Sequence, residues 1–451
     1  MLSSRLPKDL SPSPFFAELE RVKACAKKDA AEGGLSFIDM TVSSPVKAGL
    51  PVEMDAAVES ARSGFGCWNP DAAGWKSARE AVVEYYRERG GNFTAGQILL
   101  TASTSEAYSV LFKTFCDPGD VILTPMPGYP LLDTLAQLEH LECAPYFLQL
   151  RRENARKLAT DERREGAAFR FVLDTDSLLA APEKAKILLL VSPHNPTGHC
   201  ISREEWNAAV RFCEENDMVL VVDEVFGDYG FSEKVSRTWK YVFGVSHPEP
   251  SLSQSSPSKS FSTEGRESIH CRFNDFWDAG GNDLINLPED GPKCPIFWLN
   301  GLSKAVGSPQ LKLGWMAFYA PREHFEEIRA ALEFVEDAYL SVSAPAQALG
   351  MSLLPKASAY EAQVKDRLLA NWQTLREAFP AKYCPEVLGG WYAVVRLGED
   401  DEELTLRLIQ EKHVLVQPGF FFDFDEDGWV VISLLQEPAI FKEAVRRMAD
   451  R

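Results

Sequence analysis

A lysine that follows a small hydroxyl residue and precedes a glycine-punctuated turn can carry a cofactor, and Lys304 in GLSKAVGSPQLKLGW, Gly301 to Trp315, is such a lysine. Asn195 in HNPTG and Asp223 in VLVVDEVF each follow an apolar run upstream of it. A pyridine ring that acts as an electron sink needs its nitrogen kept protonated, and an adjacent buried carboxylate, Asp223, favours that positive form. A ring hydroxyl oxygen held as an anion needs a neutral donor, which the Asn195 amide can supply. An aldehyde carbon needs an amine of lowered pKa that forms a Schiff base and then shuttles a proton, and Lys304 can take that part. A phosphate handle is met by backbone N–H groups and hydroxyls at a helix N-terminus, which Ser103, Thr104 and Ser105 offer in TASTSEAYSVLFK. Tyr129 in PMPGYP follows the next strand and offers an aromatic face to a ring. Together these elements point to pyridoxal 5'-phosphate.

Each has a plainer reading on its own. NPTG makes a good turn between strand and helix. Asp223 can cap a strand end, an isolated lysine is usually a surface residue, and Ser103 or Thr104 can serve only as a helix N-cap. Tyr129 can be core packing. What favours the chemical reading is that all of them fall at the carboxyl ends of predicted strands, where open α/β sheets bind ligands.

The elements that must position them alternate. Helix-like 76–89 is followed by strand-like 98–101, helix-like 106–116, strand-like 121–124 and helix-like 131–140, a repeat that predicts a parallel sheet with helices on both faces. The runs 186–192, 218–223 and 296–301 show little alternation, as expected of strands buried on both faces. Before them, residues 1–55 read as an N-terminal arm and entry segment with one short helical run, 15–31. Residues 244–295 are rich in Ser, Pro, Gly and Asp and read as an inserted surface loop. From Pro321 onward come helix-like 323–338, 346–354 and 360–378, then a strand, a helix, VLVQPG and a final strand and helix. The expected domains are therefore 1–55, packing with the small domain, a large cofactor-binding domain 56–320, and a smaller α+β domain 321–451.

Composition bounds the function. The chain has 451 residues, with 47 Lys plus Arg against 66 Asp plus Glu, and its net charge of −19 argues against binding a phosphate backbone. No run of about eighteen apolar residues and no signal-peptide core is present, so a cytoplasmic protein is the expectation and a membrane partner is not. Nine cysteines are scattered without a C-x-x-C pair or histidines at metal-ligand spacing, so no metal is expected.

Over nearly its whole length the chain resembles the class I/II aminotransferases of the fold-type I pyridoxal-phosphate family. That resemblance implies an aspartate-aminotransferase-like fold: a large α/β domain with a mostly parallel central sheet, plus a smaller α+β domain. It implies Lys304 as the Schiff-base lysine, Asp223 as the pyridinium partner, Asn195 as the ligand of the ring oxygen, Tyr129 as the stacking aromatic and Ser103 to Ser105 as the phosphate turn. Ser303, before the lysine, belongs to the same cofactor set. A homodimer with sites at the interface, and a small domain that closes over substrate, are implied as well.

The sequence departs from the family at four places. Phe226 stands where a tyrosine usually gives the ring oxygen a second hydrogen bond, with Tyr229 the nearby replacement to consider. Lys312 stands in place of a phosphate-binding arginine, keeping the charge but losing the fork. Trp68 takes the place of a tyrosine that reaches the partner's phosphate. Val431, in WVVISLL, replaces the arginine that clamps a substrate carboxylate. Either another cation, with Arg396 as the candidate against a salt-bridged surface role, does that work, or the amine substrate has no α-carboxylate. The loop Thr41 to Pro45, with Val42, Ser43 and Ser44, faces the substrate in relatives, and its hydroxyls either bind substrate or order the turn. The expected reaction is amino transfer between an amine or amino acid and a keto acid in two half reactions. A lyase or decarboxylase on the same scaffold, or an impaired cofactor-binding relative, are the alternatives.

Overall fold

Apolar runs that lack alternation must be covered on both faces, so 186–192, 218–223 and 296–301 belong at the centre of a layered sheet. The computed structural model describes residues 13–67, 69–154, 167–232, 237–243, 291–340, 342–398 and 400–450, together with 3, 5–7, 11 and 235. Its strands in chain order are β1 (Ile38–Asp39), β2 (Ile98–Thr101), β3 (Val121–Met126), β4 (Glu142–Asn154), β5 (Ala167–Leu173), β6 (Ala185–Val191), β7 (Val219–Asp223), β8 (Ile296–Gly301), β9 (Gly314–Tyr319), β10 (Tyr392–Arg396), β11 (Val414–Leu415), β12 (Gln417–Pro418) and β13 (Trp429–Ser433).

Eight strands form one sheet in the order β2-β9-β8-β7-β6-β3-β4-β5. The β3–β4, β3–β6, β6–β7 and β7–β8 pairs are parallel, while β9 runs against β2 and β8, and β5 against β4. The fold is therefore α/β with a mostly parallel central sheet. Because β2, β3, β6, β7 and β8 point the same way, Ser103, Tyr129, Asn195, Asp223 and Lys304 all emerge at one edge.

Two features were not legible as periodicity. The helix Thr104–Phe115 starts two residues before the expected Glu106, because Ser103 caps it through its side chain. Strand β9 lies between β2 and β8 and is buried along its whole length. It works as a spacer only because glycines face one another there: a Cβ on Gly301 would sit 2.9 Å from the Gly314 Cα, and one on Gly314 would sit 3.1 Å from the Ser103 carbonyl carbon.

The smaller sheet is the antiparallel trio β10-β13-β12, and β1 pairs in parallel with β11. The helix Pro14–Ala31 buries Phe15, Leu19, Val22 and Ala26, a stripe at helical spacing, against Ile409 and Leu415. Each larger side chain buried there contributes on the order of 1.5–3 kcal/mol. Helix Phe325–Asp337 lies against Thr104–Phe115, and helix Ala344–Leu353 against Asp55–Ala61 and Lys76–Arg87, so both belong to the layer around the large sheet. The next helix, Ala357–Ala378, packs on Pro438–Ala449. Of the expected insertion, 244–290 lies outside the described residues, while 291–295 leads into β8 with the Lys293 N–H donating to Glu214 and the Pro292 carbonyl accepting from Tyr319. No helix among the described residues is long and apolar enough to cross a membrane.

Candidate active site

Lys304 follows β8 on a single helical turn, Leu302–Ala305, beside the partly exposed Ser303. Its Nζ lies 4.7 Å from the centroid of the Trp391 ring and 5.3 Å from that of Phe226. The residue keeps part of its surface accessible, yet it is surrounded closely enough that desolvation pulls its ammonium pKa down to about 8, against the opposing pull of Asp223. A fraction of Lys304 is therefore a neutral amine near physiological pH.

Asp223 ends β7. Burial pushes its carboxyl pKa up, and a hydrogen bond from the Tyr108 hydroxyl to Oδ2 (2.6 Å), one from the Val225 N–H to Oδ1 (3.0 Å) and the charge of Lys304 push it back down. Those two bonds leave acceptor capacity on both oxygens.

Asn195 sits in a turn closed by two backbone bonds that join His194 to His199 and Gly198. The His194 N–H donates to the His199 carbonyl (2.7 Å), and the Gly198 N–H donates to the His194 carbonyl (2.8 Å). Asn195 is buried, and its side-chain oxygen has no hydrogen-bond partner among the described residues. That oxygen can only accept, so it is open to a donor on a bound group, whereas a ring oxygen would have to be met by the NH2 end of the same amide.

Ser103 caps the helix Thr104–Phe115, its Oγ accepting from the Glu106 N–H (3.3 Å), with Thr104 and Ser105 partly exposed in the first turn. The unpaired N–H groups of that turn and the helix dipole suit an anion. Glu106, in the same turn, folds back so that its carboxylate accepts from the Ala102 N–H. Tyr129, 46% exposed, stands just before helix Leu131–Leu138. These groups fit the demands of pyridoxal phosphate: an amine, a carboxylate, a buried side-chain amide and an anion-binding helix end share one sheet edge.

Comparison with known proteins agrees with that chemistry. The sequence pattern of aminotransferase class I and II matches residues 49–267 and 272–448. The chain belongs to that family. Among relatives, a glutamate-pyruvate aminotransferase from Haemophilus influenzae is 21% identical over 439 residues, covering 93% of this chain and 91% of the relative. An S-alkyl-thiohydroximate lyase from Arabidopsis thaliana is 22% identical over 411 residues, covering 87% of this chain and 74% of the relative. The structure of an alanine aminotransferase from Pyrococcus furiosus superposes with a TM-score of 0.72 at 19% identity, covering 97% of this chain and 98% of that one, a likeness of fold. Membership makes this aminotransferase an enzyme of the pyridoxal-phosphate-dependent transaminase kind.

Several expectations for this aminotransferase change once geometry is known. Tyr229 does not replace the donor missing at Phe226, because its buried hydroxyl donates to the Lys304 carbonyl (2.6 Å) and so braces the lysine turn instead. Arg396 is not placed to hold a substrate carboxylate. It pairs with Glu426, donates to the Asp427 carbonyl (3.3 Å), and lies opposite Trp429, at the far end of β10 from Tyr392 and Ser433. Val431 is fully buried in β13, where it is paired with Val394. Lys312 is exposed, in a left-handed conformation two residues before Gly314. Trp68 lies outside the described residues.

In the loop 41–45 most polar groups are engaged in ordering the turn. The Thr41 hydroxyl donates to Asp39 (2.6 Å), the Val42 carbonyl accepts from the Ser433 hydroxyl (2.5 Å), the Ser44 carbonyl accepts from the Ala48 N–H (2.9 Å), and Ser43 bonds to Tyr392.

Sequence reasoning missed Trp391, Tyr392 and Tyr108. Trp391 reaches Lys304 because the 387–391 strand-like segment is stitched to two turns at once. The Leu388 N–H donates to the Gly198 carbonyl (2.9 Å) and the Gly390 N–H to the Tyr229 carbonyl (2.9 Å). The glycine pair before Trp391 was the available signal, since a Cβ at Gly389 would sit 2.8 Å from the Tyr229 carbonyl oxygen.

Proposed function

We propose that this aminotransferase moves an amino group between an amine or amino acid and a keto acid in two half reactions, with pyridoxal 5'-phosphate held by Lys304, Asp223, Asn195 and the first turn of helix Thr104–Phe115. The observation that carries the reading is the amine of Lys304, enclosed by the rings of Trp391 and Phe226 at the same sheet edge as the carboxylate of Asp223. The cofactor, when bound, supplies an electrophilic carbon and a ring that accepts electrons.

The protein's own groups do the rest. Lys304 offers a neutral nitrogen that attacks carbon and, once free, takes up and returns a proton at Nζ. Asp223 holds a positive ring nitrogen by opposite charge, and the Asn195 amide donates to a ring oxygen. The N–H groups after Ser103 hold the phosphate, Lys312 adds its charge, and Tyr129 offers its ring as a stacking face. Phe226 and Trp391 keep water from the amine. Phe226 has no donor, so the ring oxygen would keep a single side-chain partner in Asn195.

The fully buried Val431 cannot bind a carboxylate, which favours amines without an α-carboxylate as donors. The reading includes a cytoplasmic homodimer, for which the exposed Phe334 (80%), Leu340 (72%) and Tyr339 (51%) supply an apolar surface. It also includes a closing small domain, from residue 321 by sequence and from Ala357 by packing.

A second reading, lyase chemistry from the same anchors, is favoured by the thiohydroximate lyase among the relatives. Purified protein given pyridoxal phosphate should develop a visible absorption band that Lys304→Ala abolishes. Incubation with one equivalent of an amine donor should then convert the band and release one equivalent of carbonyl product. A band that survives Lys304→Ala overturns the assignment of the lysine. Release of free ammonia with an unchanged band selects the lyase reading.

A further inference from the structure

We propose that Tyr108 is a positioning residue whose phenol fixes the Asp223 carboxylate and supports its negative charge, so that one helix sets both the phosphate end and the ring-nitrogen end of the site. The proposal rests on the reading of Asp223 as the partner of a protonated ring nitrogen.

The argument begins with burial. A carboxylate at the end of a buried strand is driven towards its neutral form, and a neutral acid cannot hold a positive ring. Asp223 needs donors of its own. The Val225 N–H is one, fixed by the turn after β7 at 3.0 Å from Oδ1. Lys304 contributes its charge, but only while it is protonated, and it is the group that must give its proton up. Tyr108 serves the other oxygen, with a short bond of 2.6 Å to Oδ2 from a neutral group that takes no part in the chemistry.

Tyr108 is held to that task. It is 3% exposed, it lies in the same helix as the buried Ala107, Val110 and Leu111, and its ring packs 6.1 Å from that of Phe112. Burial, with Asp223 next to it, raises its own pKa well above the usual tyrosine value, so it stays a donor throughout the working range of pH. The same helix begins at Ser103, one turn earlier, where the candidate phosphate turn lies. The other titratable or charged groups around the pair are Lys304 from the turn after β8, Tyr146 from β4 and Glu224 next to Asp223 in the chain. Glu224 is already engaged, accepting from the Thr238 N–H (2.7 Å) and hydroxyl (2.6 Å) beside the charge of Arg237.

The test uses the whole protein without cofactor, carrying carboxyl-13C aspartate, with Asp223→Asn to assign the resonance. A hydrogen bond to a charged group changes an equilibrium by roughly 10- to 100-fold. Tyr108→Phe should therefore move the Asp223 titration midpoint up by about one to two pH units while the far-UV spectrum and thermal midpoint stay near those of the parent. Should the phenylalanine variant fail to fold, Tyr108→Leu, which also lacks the hydroxyl, must show the same displacement. An unchanged midpoint in a folded variant overturns the proposal. A displaced midpoint supports it whether or not pyridoxal phosphate binds, and the absence of an absorption band from the parent protein with pyridoxal phosphate would overturn the cofactor reading alone.

Discussion

Around Lys304 the faces of Trp391 and Phe226 replace water, and an ammonium ion loses more by that exchange than a neutral amine does. Attraction to the two rings and to Asp223 works the other way, but cation–π contacts return only about 0.5–2 kcal/mol, and the desolvation wins. If Trp391 is the main barrier to water, Trp391→Ala should let the ammonium rehydrate and move the Lys304 titration from about 8 towards the ordinary lysine value. The pH dependence of Lys304 acylation in the cofactor-free protein, read by mass spectrometry, measures this. An unchanged midpoint would assign the depressed value to other walls of the site. At this scale the sequence was informative wherever chemistry demands one residue type: amine, carboxylate and amide could each be named. It was silent about Trp391, whose type is interchangeable with core packing, and it offered Arg396 only because guanidinium groups suit carboxylates. Its partner, Glu426, is recognisable only in three dimensions.

At the scale of elements, the site is assembled by turns that are bonded to one another. The 387–391 segment joins the Asn195 turn to the Phe226–Tyr229 turn, and Gly389 is the point of closest approach, with the Tyr229 carbonyl oxygen 2.8 Å and the Pro193 Cγ 2.9 Å from where a Cβ would lie. Gly389→Ala must therefore separate backbone from backbone, with an expected loss of about 1–3 kcal/mol in denaturant unfolding and a change in the indole emission of a protein whose Trp391 has shifted. A variant as stable as the parent would show that the segment can yield without loss. Strand order at this scale was partly legible, because strand-then-helix repeats imply parallel neighbours. The position of β9 was not, since nothing in GWMAFY says that it runs antiparallel between β2 and β8.

For the molecule as a whole, stability against pH carries the signature of buried titratable groups. Glu336, in helix Phe325–Asp337 facing the phosphate helix, is fully buried with both oxygens unbonded among the described residues. Burial, with Glu106 adding to it, raises its pKa to about 8. The folded protein therefore binds this proton more tightly than the unfolded chain does. The stability it contributes is present below the unfolded value of about 4.5 and is lost as pH rises to about 8, beyond which the deficit is constant. Glu336→Gln should raise the thermal midpoint by several degrees at pH 9 and by little at pH 4.5, as differential scanning calorimetry of the two proteins would show. Equal differences at both values would refute the account. His194 acts at the other end: burial lowers its pKa to about 3, so its contribution is lost as pH falls from the unfolded value of about 6.5 towards 3.

The sequence by itself determined which groups could do chemistry and that they lie at strand ends, because reactive side chains and buried strands leave local patterns of type and spacing. Tertiary structure alone decided what surrounds those groups. The aromatic wall over Lys304, the tyrosine bond to Asp223, the engagement of Tyr229 with the Lys304 carbonyl and the commitment of Arg396 to Glu426 all join residues distant in the chain. Desolvation and hydrogen bonding depend on distance in space, and the linear spacing of residues does not encode it.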